Sequence, residues 1–276
     1  MKLNIIKSKN TNIYNNLAIE EYLLNQNIKD IFLFFWKAKD AVVIGKHQNP
    51  WREINFDSEY NFDIARRVSG GGAVYHDLGN LNYSVIAPKN YLNSDEIFEY
   101  ILDALNNIGI DAYRNYKNDL MYKNYKFSGS AFCIKKNNFL HHGTLLINSN
   151  LEKIKDILKI NPAFNTHATI SKPSEIINLK DINYCIDEEI IINNIIRIFS
   201  KRIKLQTQYI ETHYFRDSEL IKKHKSWEWI YGRTPKFTIE LENNIYQIEN
   251  GYIISINGKI LNEKEKFDFK NLLLNV

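Results

Sequence analysis

Residues 66–80 read RRVSGGGAVYHDLGN: three consecutive glycines behind two arginines, ahead of an apolar run that continues as LNYSVIAP. The chain has only eleven glycines, so three in succession mark a place where the backbone itself is used. Without a Cβ, Gly70, Gly71 and Gly72 can take positive φ and let a ligand approach the main chain closely. Successive N–H groups in such a loop form a concavity that holds anions. Arg66 and Arg67 add guanidinium forks suited to phosphate. On a strand their side chains point to opposite faces, so only one is expected to reach the ligand of the loop. The competing reading is a tight hairpin turn with exposed arginines. No Gly-Lys-Ser or Gly-Lys-Thr follows, so the loop is not a P-loop.

The flanking sequence sets the fold class. FDIARRV reads as a strand entering the glycine loop, and a second strand leaves it. In that second strand Leu81, Tyr83 and Val85 alternate with Asn80, Asn82 and Ser84, the pattern of a sheet with one apolar and one polar face. Upstream, NLAIEEYLLNQ predicts an amphipathic helix, and IFLFFWK and AVVIGKHQNPW predict two buried strands with a polar loop after Gly45. Downstream, SDEIFEYILDALNNIGI predicts a helix capped by Ser94 with acids in its first turn. Residues 118–148 predict strands joined by a turn around residues 136–138, and helices are expected over residues 151–158 and 188–202. After a hinge, SWEWIYGRTP, an alternating segment with ENG and NG turns predicts a small set of hairpins. Strands and helices mix without regular βαβ alternation, which makes the fold α+β and not doubly wound α/β.

Composition narrows the class of function. Apolar residues are 44% of the 276, enough for a sizeable core, and lysine plus arginine exceed the acids by 36 to 32. That mild excess suits an anionic small molecule or an acidic protein partner and falls short of a nucleic-acid stripe. Cys133 and Cys185 are far apart and in no metal-type spacing, so a reducing compartment is the natural reading. No signal peptide and no run of about 20 apolar residues is seen. The expectation is a cytoplasmic protein, with no nucleic-acid or membrane partner.

Two further stretches carry chemistry. In KFSGSAFCIKKNNFLHHGTLL, Lys126 precedes a Ser-Gly-Ser turn, and a lysine held beside small residues can set its ammonium against a carboxylate and a phosphate as charge moves between them. His141 and His142 are adjacent on a strand and point oppositely, so packing or hydrogen bonding is favoured over a shared metal. Asn118 and Asp119, in KNDL, read either as a turn pair or as ligands for an amine or a magnesium ion. Cys133 lies inside an apolar run and is expected in the core.

Taken together, these residues resemble the lipoate–protein ligase A family. The match runs through VVIGKHQNPW, RRVSGGGAVYHD, KFSGSA, HHGTLL and SWEWIYGRTPKF, in the family's order and over nearly the whole chain to about Phe237. The resemblance implies a mixed-sheet catalytic domain of the kind shared with biotin ligases and class II aminoacyl-tRNA synthetases, here over residues 1–235. It implies that Arg67, Ser69, Gly70, Gly71, Gly72, Ala73, Val74 and Tyr75 hold the nucleotide and its phosphates, with Asn118, Asp119, His142, Gly143 and Thr144 also in the site. It implies that Lys126 is the catalytic residue, contacting both lipoate carboxylate and α-phosphate, and it names no metal ligand. ATP, Mg2+ and lipoate are the implied cofactors and substrates. The implied acceptors are lipoyl domains of 2-oxoacid dehydrogenase transacylase subunits and the glycine cleavage H-type protein.

The resemblance also implies alternatives. Related octanoyl- and lipoyl-transferases work from a preformed donor or through a thioester on cysteine, and a ligase-derived binding module would lack activity. No cysteine precedes Lys126 in NDLMYKNY, which favours the ligase. Only 39 residues follow Phe237 (276 − 237), so residues 236–276 are expected to form an abbreviated accessory segment, or a separate chain supplies that domain.

Overall fold

The alternation of residues 80–88 becomes strand Asn80–Pro88, interior to a six-stranded sheet in a computed structural model that describes residues 1–215, 217–241 and 243–269. The sheet runs Ser130–Lys135, Asn138–Leu146, Asn80–Pro88, Ile31–Trp36, Leu3–Lys7, Thr207–Tyr209. Its first four strands are mutually antiparallel, and the pairings of Leu3–Lys7 with both neighbours are parallel. This mixed sheet is the α+β arrangement that the absence of βαβ alternation predicts.

The chain divides into two units. The first comprises Met1–Lys39, His76–Leu151 and Pro173–Leu220. In it Leu81, Tyr83 and Val85 meet Ile97, Phe98 and Ile101 of helix Ser94–Asn106 and Ile191, Ile195 and Phe199 of helix Glu188–Ile203. The cap of helix Ser94–Asn106 is one residue earlier than expected. Asn93 accepts from the N–H groups of Asp95 and Glu96, and Glu96 returns a bond to the Asn93 N–H, so a reciprocal box forms and Ser94 becomes the first helical residue.

The polar face of this sheet is covered as well. Asn80, Asn82 and Ser84 are buried, because helix Ile13–Asn25 brings buried Glu20 over that face, within hydrogen-bond distance of Ser84 and His142. A small sheet of Tyr113–Arg114, Leu120–Tyr122 and Tyr125–Ser128 completes this unit. Strand Ser130–Lys135 is the sheet edge, where Ile134 is exposed and Cys133 half-buried. Cys133 is therefore not a core residue: an apolar run on an edge strand has no neighbour on one side to cover it.

The second unit comprises Asp40–Tyr75, Glu152–Lys172 and the chain from Ile221 onward. Strand Ala41–Ile44 pairs in parallel with Asp63–Arg66 and lies between it and Val74–His76. A five-stranded antiparallel sheet joins Phe164–Thr166 to the hairpins Phe237–Leu241, Asn244–Glu249, Tyr252–Ile256 and Lys259–Lys266. Asn250-Gly251 and Asn257-Gly258 all have positive φ, the backbone that two-residue hairpin turns require. Trp51, Phe164, Phe237, Ile248 and Phe267 form the core of this sheet. Of the segment expected to be accessory, residues 236–276, the last seven and Glu242 lie outside the described residues.

Candidate active site

The candidate residues fall into two sets, one in each unit. In the second unit, strand Asp63–Arg66 delivers the two arginines to the glycine loop, and neither is exposed. Arg66 is fully buried and donates to the carbonyls of Gly45, Lys46, Gln48, Trp229 and Ile230 and to Thr234 Oγ1. Burial and the nearby charge of Arg233 pull its guanidinium down to about 9, so it stays cationic at neutral pH. Trp229 Nε1 donates back to the Arg66 carbonyl at 2.7 Å. This arginine is an internal brace.

Arg67 turns the other way, as alternation on a strand requires. Its Nε reaches Ser69 Oγ at 3.0 Å, and its Nη2 reaches the carbonyls of Gly70 at 2.6 Å and Gly72 at 2.8 Å. Nη1 donates to Val43 O at 3.1 Å. The guanidinium thus gathers the carbonyls of the loop to itself. Only Gly71 has positive φ, at 91°, so the three glycines serve different needs. A Cβ on Gly72 would sit 2.9 Å from Ser171 Oγ, which accepts from Ala73 N at 2.8 Å and from Gln48 Nε2 at 3.0 Å. Val74 begins the outgoing strand, and Tyr75 donates its hydroxyl to Asp40 at 2.5 Å.

Gly45, Gln48, Glu53 and Ser171 were not legible as part of this loop. A Cβ on Gly45 would lie 2.2 Å from Gly71 O, and Glu53 accepts from Ser171 N at 3.1 Å. Burial raises the Glu53 carboxyl, against the hydrogen bonds from Ser171 that lower it. The one available signal was Gly45 itself, a glycine ending a β-branched strand.

In the first unit, Lys126 lies on strand Tyr125–Ser128, and its ammonium pairs with Asp119 Oδ1 at 2.7 Å. Its main chain is tied to residues 175–177: Lys126 N donates to Glu175 O, and Ile177 N to Lys126 O. A Cβ on Gly129 would come within 3.2 Å of Lys126 Cε and Nζ, so the glycine of the Ser-Gly-Ser turn makes room for the lysine. Gly129 N donates to Thr144 Oγ1 and Thr144 N to Gly129 O. Lys126, Asp119 and Thr144 are thereby brought together.

Asn118 has φ of 66° and gives its amide oxygen to Arg114 Nε and Nη2, so its side chain stabilises the turn. Gly143 is needed for packing: a Cβ there would fall 2.5 Å from the Tyr83 hydroxyl. Burial pushes Tyr83 up to about 12.

The two histidines do point oppositely. His141 packs against Phe98 and Phe132, and burial holds it well below the ordinary histidine range, hence neutral. His142 Nδ1 meets Glu20 Oε2 at 3.0 Å, and Ser84 Oγ, which accepts from Trp36 Nε1, donates to Glu20 Oε1 at 2.5 Å. Burial alone would raise the Glu20 carboxyl, but the charge of His142 and hydrogen bonds from His142, Ser84 and Trp36 together leave it lowered. Its contribution to stability is therefore complete above the unfolded value of 4.5 and lost as pH falls through the lower folded value. Glu20→Gln should lose stability at neutral pH and show a shallower loss down to about pH 3, read from thermal melts across that range. An unchanged acid limb would contradict the assignment.

Four similarities accord with this geometry. The family model described as the lipoyl protein ligase A/B catalytic domain matches residues 12–203. A lipoate-protein ligase A of Psychrobacter cryohalolentis is 37% identical over 258 residues, covering 88% of this chain and 76% of that protein. The human mitochondrial lipoyl amidotransferase LIPT1 is 33% identical over 277 residues, covering 93% and 74%. Among solved structures, P. falciparum LipL1 in complex with lipoate superposes with a TM-score of 0.73 at 31% identity, covering 92% of this chain and 84% of that one. The chain belongs to the lipoyl protein ligase A/B catalytic domain family.

Proposed function

We propose that this chain is an ATP-dependent lipoate–protein ligase. The observation that carries the reading is the Lys126 ammonium, fixed over Gly129 in the family's lysine motif. In the first step a lipoate carboxylate oxygen attacks the α-phosphorus of ATP, the bond to the β-phosphate bridge breaks, and pyrophosphate leaves. Lys126 stabilises charge on the carboxylate and on the α-phosphoryl oxygens. In the second step the amine of an acceptor lysine attacks the carbonyl of the mixed anhydride. An amide forms, a proton leaves the amine, and AMP departs with the electron pair of the broken C–O bond. The glycine loop, its carbonyls gathered by Arg67, is assigned to the nucleotide phosphates.

Among the described residues no three His, Cys, Asp or Glu side chains gather as a metal site. Mg2+ commonly binds one or two carboxylates plus substrate phosphates, so an ion arriving with ATP is compatible with these residues, and no metal ligand is assigned. No described helix is long and apolar enough to cross a membrane. The acceptor is assigned as a lipoyl domain, with a separate accessory chain as a candidate second partner.

A second reading has support of its own: an amidotransferase is among the relatives at similar identity. Incubation with ATP, Mg2+, lipoate and an apo lipoyl domain, followed by mass spectrometry, tests the first reading. Modification only when lipoyl-adenylate is supplied would establish the second. Under either of these, Cys133→Ser should leave modification within about two-fold of the wild type, because the acyl group is carried by AMP and not by a thioester. Isolation of an acyl-thioester on Cys133 would replace both readings.

A further inference from the structure

We propose that Asp119 is a positioning residue for the reaction, acting through Lys126; this rests on the role given to Lys126 above. The ammonium ends a flexible four-carbon stem, and its three N–H donors have no fixed direction of their own. Asp119 Oδ1 takes one of them at 2.7 Å, which leaves two for the two groups the reaction brings: a carboxylate oxygen and an α-phosphoryl oxygen.

Asp119 is itself held rigidly. Its other oxygen, Oδ2, accepts from Asn115 Nδ2 at 3.3 Å, while Asn115 Oδ1 accepts from the N–H of Asp119 at 3.0 Å and of Lys117 at 2.9 Å. The intervening Asn118 is locked in its left-handed conformation with its amide oxygen on Arg114. Asp119 is 9% exposed. A carboxylate aimed from both its backbone and its second oxygen is a fixed part of the site. It is not a mobile group waiting to be displaced by substrate.

A second constraint on the ammonium comes from Gly129, where a Cβ would come within 3.2 Å of Lys126 Cε and Nζ. Asp119 and Gly129 therefore fix the direction and the place of the same ammonium. Misplacement of a reacting group by about 1 Å costs on the order of a hundred-fold in rate.

The test is a double-mutant cycle on pyrophosphate release, with Lys126→Ala, Asp119→Asn and both together. Asp119→Asn is expected to lower kcat on the order of a hundred-fold, with KM for lipoate and ATP moving by less than about three-fold. Added to Lys126→Ala it should change little, because it acts through the side chain already removed. Losses that multiply would assign Asp119 an independent role in binding metal or substrate and overturn the proposal. So would a fall in KM at unchanged kcat, the mark of a displaced competitor.

If Asp119→Asn does not fold, Gly129→Ala keeps both charges but crowds the ammonium and must give the same kcat-specific loss. Unchanged kcat in folded Gly129→Ala overturns the proposal equally. If the wild type releases no pyrophosphate, the ATP-dependent reading fails by itself. The same cycle is then run on transfer from preformed lipoyl-adenylate, where Asp119 stands or falls separately.

Discussion

Lys126→Ala should slow lipoyl-adenylate formation about a hundred- to a thousand-fold while leaving a folded protein. In the proposed reaction the ammonium, held by Asp119 at 2.7 Å and given room by Gly129, needs no reorganisation as charge moves between carboxylate and phosphate. Loss of one preorganised donor of this kind costs about a hundred- to a thousand-fold in rate, roughly 3–4 kcal/mol. The fold should survive, because the Lys126 side chain is one-quarter exposed and the strand is secured by its main-chain bonds to residues 175–177. Pyrophosphate release and a thermal melt on the same sample check both halves. A wild-type rate of release would remove Lys126 from the mechanism.

Arg66→Met should do the reverse and unfold before it fails chemically. The side chain is fully buried and serves five carbonyls and one hydroxyl. Methionine fills much of the volume but satisfies none of these acceptors, and a buried acceptor without a donor costs about 1–3 kcal/mol. Allowing for relaxation, a total loss of roughly 3–5 kcal/mol is expected, with a fall in melting temperature on the order of 10 °C. A shift below about 2 °C would mean that the acceptors find other partners.

The contrast between Lys126, set by its local turn, and Arg66, set by distant carbonyls, explains what the sequence made legible. The glycine loop, the lysine turn and the asparagine-glycine hairpins could be read because each depends on local backbone geometry: Gly71 at φ 91°, Gly129 beneath Lys126, Asn257-Gly258 with both φ positive. The opposed directions of His141 and His142 followed from strand alternation alone. What could not be read depends on partners distant in the chain. Glu20 appears as one of two adjacent acids on a helix, and only the fold brings it to His142, 122 residues away, as a buried carboxylate. Ser171 lies 98 residues from the Ala73 N–H it accepts from. Such contacts have no periodicity. Cys133 lies outside the core that its apolar run predicts for a related reason, since an apolar strand does not disclose whether it lies inside a sheet or at its edge.

The bond between Arg66 and residues 229–234 also has a temporal side. Arg66 leaves the ribosome 163 residues before the Trp229 carbonyl that it binds. At bacterial and eukaryotic elongation rates of about 5–20 residues per second, that interval is on the order of ten to thirty seconds. Throughout it, a guanidinium destined for full burial lacks three of its acceptors, Trp229, Ile230 and Thr234. The bonds that brace the strand carrying the glycine loop are thus completed only once residues 229–234 have been made. Ribosome-bound chains stalled before Trp229 should be cleaved by protease at residues 66–75, and chains released after Thr234 should resist.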